Sequence, residues 1–151
     1  MPVRVDHIGI TVQDLDAVTA FFQTLGFVLE ARSVMEGEFL DTVVGMSDAR
    51  TDVVWLTPPG GGSALEVATF IRPPTEPGTP DAGENVVGIR NLGFQVDDLD
   101  GLLERIATDG YRPLGGVGEY EGIWRMAHVR GPEGIIVSLS ERIGEPGDRG
   151  G

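Results

Sequence analysis

Three side chains in this sequence combine a titratable group with a setting in which it could do chemistry: His7, Glu66 and His128. Glu66 sits in SALEVATF (63–70), an otherwise apolar, strand-like run. A carboxylate there is costly to bury unless an arginine, a histidine or a raised pKa compensates it. Poised by burial, it could act as a base and abstract a proton next to a carbonyl. The plainer alternative is an ion pair with an arginine such as Arg125 or Arg32. His128 lies in IWRMAHVR (123–130), where strand alternation places Trp124, Met126, His128 and Arg130 on one face and Ile123, Arg125, Ala127 and Val129 on the other. Glu66 and His128 are therefore the candidate catalytic acid and base. His7 opens HIGITV (7–12) and shares a face with Gly9 and Thr11, either as a functional group or as a hydrogen-bonded core residue. Trp55, Trp124, Phe39, Phe70 and Met126 could line a cavity for a flat or apolar ligand, or simply fill a core.

The elements that must carry these residues are written twice. HIGITV is followed by QDLDAVTAFFQTLGF, and NLGFQV (91–96) by DDLDGLLERIATDGY. At an offset of 84 positions Gly9, Val12, Asp14, Leu15, Asp16, Thr24 and Gly26 recur as Gly93, Val96, Asp98, Leu99, Asp100, Thr108 and Gly110, an internal repeat. Each copy reads as a short strand and then a helix capped by Asp14 or Asp98. The apolar positions Leu15, Val18, Phe21, Phe22 and Leu25, and Leu99, Leu102, Leu103 and Ile106, recur at three and four. Gly26 and Gly110 stop the helices. Beyond the first helix the sequence predicts a strand in GFVLEARS, a short helix in EGEFLDTVVGM, and a hairpin of TDVVWLTPP and SALEVATF around residues 58–62. Beyond the second it predicts three strands in YRPLGGVGEY, IWRMAHVR and GIIVSLSE, the last two joined by the turn RGPEGI (130–135).

Each half is thus βαβββ, and the fold class is α+β. The first module is expected over residues 1–72, a linker over 73–87, the second module over 88–143 and a mobile tail over 144–151. The linker is rich in proline, glycine and acids, which predicts a solvated connection. Glu119, Tyr120 and Glu121 are expected at a rim or on the surface. Neither half is large enough to bury a sheet face and a helix alone, so the two sheets are expected to form a curved cup with the helices outside and a ligand on the concave side.

Composition narrows the partners. A formal net charge of −13, with 11 arginines and no lysine, disfavours nucleic acid and anionic membranes. The absence of cysteine removes disulfides, thiolate metal sites and cysteine nucleophiles. With no signal-peptide core and no apolar run near the ~20 residues a membrane helix needs, a cytoplasmic protein is expected.

The repeat, together with LEV at 65–67 and RGPEGIIVSL at 130–139, resembles the vicinal oxygen chelate superfamily of glyoxalases, epimerases, ring-cleaving dioxygenases and fosfomycin or bleomycin resistance proteins. The resemblance implies a divalent metal held in the cup by a histidine or glutamine on the first strand, a glutamate on the fourth, a histidine on the fifth and a glutamate on the eighth. Those positions fall on His7, Glu66, Asn91 and Ser138. His7 and Glu66 match as metal ligands. Asn91 offers a poor amide donor and Ser138 a neutral hydroxyl. In relatives the position of His128 often carries an aromatic facing the pocket, so His7, Glu66 and His128 could also rebuild a metal site in a new geometry.

The resulting expectation is a binder of a small, apolar or aromatic molecule with no cofactor, its ligand touching His7, Trp55, Asn91, Trp124, Met126 and Ser138. The alternative is an enzyme of the superfamily, a lyase, isomerase or dioxygenase, with a rearranged metal site or with metal-free acid–base catalysis by Glu66 and His128. The resemblance further implies a homodimer.

Overall fold

The structure, a computed structural model, describes residues 2–145; of the tail expected at 144–151, residues 146–151 lie outside the described part. The chain divides into two compact units, residues 1–78 and 79–151.

In the first unit, strand β1 (His7–Thr11) leads into helix α1 (Leu15–Thr24), followed by β2 (Val28–Glu36), the short helix α2 (Glu38–Val44), β3 (Arg50–Thr57) and β4 (Ala64–Arg72). The four strands form one mixed sheet in the order β1-β4-β3-β2, with β1 parallel to β4. Helix α1 starts where Asp14 accepts a hydrogen bond from the Ala17 amide at 3.0 Å, meeting one of the donors a helix start leaves orphaned. It stops at Gly26, whose φ of 100° suits a residue without a Cβ. Leu15, Val18, Phe21 and Phe22 are buried on the helix, and Val54, Leu56, Leu65 and Val67 on the sheet. Burying each such side chain contributes roughly 1.5–3 kcal/mol.

The second unit repeats the plan: β5 (Asn91–Gln95), α3 (Leu99–Thr108), β6 (Gly118–Tyr120), β7 (Trp124–Arg130) and β8 (Ile136–Arg142), in the order β5-β8-β7-β6 with β5 parallel to β8. Asp98 caps α3 through the Gly101 amide at 3.0 Å, and Gly110 ends it at φ 92°. Leu99, Leu102 and Ile106 are buried with Ala127, Val129, Val137 and Leu139. The strand expected in YRPLGGVGEY shrinks to three residues, Gly118–Tyr120. Proline at 113 and the glycines at 115 and 116 interrupt regular pairing before it.

One arginine per unit marks which sheet face the helix covers. Arg32 of β2 reaches Asp16 of α1 at 2.8 Å and Asp52 of β3 at 2.9 Å. Arg125 of β7 reaches Asp100 of α3 at 2.9 Å and Glu141 of β8 at 3.5 Å. The Arg125 hydrogen bond holds the Asp100 carboxyl below its ordinary pKa. Arg32 is paired with Val54 and Arg125 with Glu141 across their strands, so these arginines share a face with the buried residues. By alternation, His7, Trp55 and Glu66 in one unit, and Asn91, Trp124, Met126, His128 and Ser138 in the other, lie on the opposite face. These pairings also correct the expectation that Arg32 or Arg125 neutralises Glu66.

Candidate functional site

The register of each sheet sets its site residues in a row. In the first unit Gly9 of β1, Glu66 of β4 and Trp55 of β3 are neighbours across the strands. In the second, Gly93 of β5, Ser138 of β8 and His128 of β7 occupy the same places. Ser138 is thus the counterpart of Glu66, His128 of Trp55, and Asn91 of His7. A Cβ added to Gly9 or Gly93 would meet nothing within 4 Å, so both rows are open above their glycine.

In the first unit, the partner of Glu66 is His7. The His7 Nε2 lies 3.2 Å from a Glu66 carboxylate oxygen, and Nδ1 lies 2.7 Å from Asp6. The ring also meets Trp55 edge-on, centroids 5.1 Å apart. His7, Trp55 and Glu66 therefore form one half-buried cluster, with both imidazole nitrogens engaged by carboxylates. Phe39 is not part of it: it stands 73% exposed on α2.

In the second unit, His128 faces a cavity of about 480 Å³, whose wall includes Trp124 and Met126 together with Leu114, Tyr120 and Glu84. Glycines at 115, 116 and 118 leave it open, and no Cβ at those positions would touch a neighbour within 4 Å. The Glu84 carboxylate takes Nδ1 of His128 with both oxygens, at 2.8 and 2.9 Å, and accepts a third hydrogen bond from Asn91 Nδ2 at 3.2 Å. The His128 hydrogen bond keeps the Glu84 pKa below its usual value. Ser138 is buried opposite His128, and Arg142 lies over the Trp124 ring at 5.5 Å.

Glu84 belongs to the stretch expected to be a solvated linker. The stretch is largely exposed, and Arg130 anchors it, donating to the carbonyls of Pro80 and Ala82 at 2.9 Å each. The proline, glycine and acid content of the segment gives no signal for this, because the anchoring arginine lies 50 residues away. Leu114 and the adjacent glycines were equally silent, and Glu119 and Tyr120, expected at a rim, border the cavity.

The model of the Glyoxalase/Bleomycin resistance protein/Dioxygenase superfamily matches residues 4–139, and the chain belongs to that superfamily. A glyoxalase family protein from Bacillus cereus is 33% identical, superposes with a TM-score of 0.90, and is matched over 95% of this chain and 97% of its own. The fosfomycin resistance protein FosX from Listeria monocytogenes is 16% identical over 99% of both chains, with a TM-score of 0.59. TnmS3, an antibiotic binding protein from a Streptomyces species, is 20% identical over 93% of this chain and 97% of its own, at 0.60. At those identities the latter two share the fold. No curated protein matches the sequence.

The superfamily usually holds a divalent metal, and the residues here do not fit its four-ligand set. The four positions that the resemblance assigns, His7, Glu66, Asn91 and Ser138, carry one imidazole, one carboxylate, one amide and one hydroxyl, and only the first two are strong donors. The His7 nitrogens are engaged by Asp6 and Glu66, and Asn91 turns its amide nitrogen to Glu84. Among the described residues no group of three or more histidine, aspartate or glutamate side chains converges as a metal site would require. No described helix is long and apolar enough to cross a membrane.

Proposed function

We propose that the protein binds a small apolar or aromatic molecule in the cavity of its second unit, without the superfamily's metal, in the manner of a resistance or sequestration protein. The observation that carries this reading is the cavity itself: about 480 Å³ bordered by Trp124, Tyr120, Leu114 and Met126, the last two 44% and 40% exposed. Covering such surface releases roughly 25 cal/mol per Å² of apolar area. A flat molecule on an indole and a thioether gains stacking and dispersion besides. The same fold serves an antibiotic binding protein in Streptomyces.

The His128 and Glu84 pair favours a second reading. A histidine oriented by a carboxylate is the arrangement of a general base, and metal-free isomerisation by proton transfer would then follow ligand capture. In that reading His128 is the base and Glu84 orients it, while Glu66 is engaged with His7.

The test uses the two tryptophans, Trp55 and Trp124. In a Trp55→Phe variant the remaining fluorescence reports on the second unit. Titrated with 4-nitroanisole in the presence of EDTA, the variant should show saturable quenching with a Kd near the millimolar mark, in keeping with a ligand of about eleven non-hydrogen atoms. Quenching that rises linearly with no saturation would overturn the reading.

A further inference from the structure

The hydrogen bonds around His128 leave one of its nitrogens with a definite character. Both Glu84 oxygens lie within 2.9 Å of Nδ1, and an ionised carboxylate only accepts, so Nδ1 must carry the proton. In neutral imidazole the lone pair is then on Nε2. Nε2 has no partner among the described residues, and the ring borders the cavity. The site therefore presents one fixed hydrogen-bond acceptor beside Trp124 and Met126.

The charge around it decides what that acceptor selects. The cavity wall carries the carboxylates of Glu84 and Glu119 and no lysine or arginine, within a chain of net charge −13. Arg142, stacked on Trp124 at 5.5 Å, is the nearby cation, and with two carboxylates on the wall an anionic ligand is disfavoured. A neutral hydroxyl would be welcomed, because the Glu84 carboxylate fixes the imidazole tautomer and ring orientation that turn a lone pair toward it.

We infer that the ligand is a flat molecule bearing an acidic hydroxyl, a phenol or an enol, which donates its hydrogen bond to Nε2 of His128, with Glu84 as the positioning residue that fixes the accepting tautomer. The inference rests on the cavity reading above and adds the chemical class of the ligand and the residue that reads it. Glu84 comes from the segment before β5 and is not itself one of the four positions that the resemblance assigns to a metal, though Asn91, which is, donates to it at 3.2 Å.

The experiment compares two probes of nearly the same shape, 4-methylphenol and its methyl ether 4-methylanisole, in the full chain carrying Trp55→Phe, at about pH 8, where an ordinary phenol keeps its proton and an ordinary imidazole is neutral. The phenol should bind up to ~10-fold more tightly, the ratio expected of one hydrogen bond between neutral partners. His128→Phe should bring the ratio to about 1. Glu84→Ala, at a position outside every helix and strand, should lower the ratio. Equal affinity of both probes for the Trp55→Phe protein would overturn the inference and leave the cavity reading standing. A phenol preference that survives Glu84→Ala would overturn the role of Glu84 even if His128→Phe fails to fold. Failure of both probes to saturate would instead remove the cavity reading on which the inference rests.

Discussion

The two units of this chain share the residues that start their main helices and tie them to the sheet, and differ at three positions of the open face. Asp14 and Asp98 cap the helices through the same amide three residues on. Leu15 and Leu99 are buried on them. Asp16 and Asp100 each receive an arginine from the sheet. The amides of Val12 and Val96 extend the parallel pairing, to the carbonyls of Ala68 and Ser140 at 2.8 and 2.7 Å. The open face tells the opposite story: histidine against asparagine, glutamate against serine, tryptophan against histidine. In the first unit a strand histidine pairs with a strand carboxylate, His7 with Glu66. In the second the strand carboxylate is gone, and a carboxylate arrives from the preceding segment to hold a histidine on a different strand, Glu84 with His128. A duplicated module can therefore keep its fold by keeping caps, core and the helix-to-sheet arginine, while its face is free to take up new chemistry.

Several changes would break or sharpen this comparison. The largest effect is expected in the shared scaffold: Leu15→Ala and Leu99→Ala should each cost ~2–5 kcal/mol in urea unfolding, the range for fully buried leucines. A large loss in one unit and a negligible one in the other would break the equivalence of the cores. Gly118→Leu acts on the face alone. Its Cβ meets nothing within 4 Å, so stability should hold within ~1 kcal/mol, while the side chain fills the cavity and weakens 4-nitroanisole binding by at least ~10-fold. Asp14→Ala and Asp98→Ala should each cost ~1 kcal/mol, the usual value of a helix cap, again read by urea unfolding.

The smallest effect concerns pH. The folded state lowers the Glu84 pKa below its ordinary 4.5, so the pair's stabilisation is fully present above that value and is lost as pH falls through the folded one. The stability difference between the natural chain and Glu84→Gln should accordingly be largest near neutrality and shrink as the pH falls below the ordinary carboxylate range, with solvent screening keeping it under ~1 kcal/mol. A difference that grows on acidification would contradict the sign.

Much of this was legible in the sequence because it rests on local chemistry. The aspartate caps, the glycine stops and the apolar spacing of LDAVTAFFQTLGF act within a few residues, so periodicity and capping rules reached both helices and most strands. Strand alternation likewise put Trp124, Met126 and His128 on one face. What escaped was non-local. Glu84 reads as part of a solvated linker until Arg130 is seen holding the backbone of that segment. The partners of Arg32 and Arg125 depend on which sheet face each helix covers, and no spacing along the chain encodes that. The brevity of β6 follows from Pro113 and the nearby glycines, whose interruption of pairing is easy to see but whose consequence, an open cavity, needs β7 beside it.

Metal-free ligand capture on the face of the second unit is the proposal that the whole reading depends on. Amide chemical shifts of the isotope-labelled protein in EDTA, followed as 4-nitroanisole is added, test it most directly. The account predicts saturable shifts centred on Leu114, Tyr120, Trp124, Met126 and His128. Shifts confined to His7, Trp55 and Glu66, appearing only once zinc or manganese replaces the chelator, would contradict it.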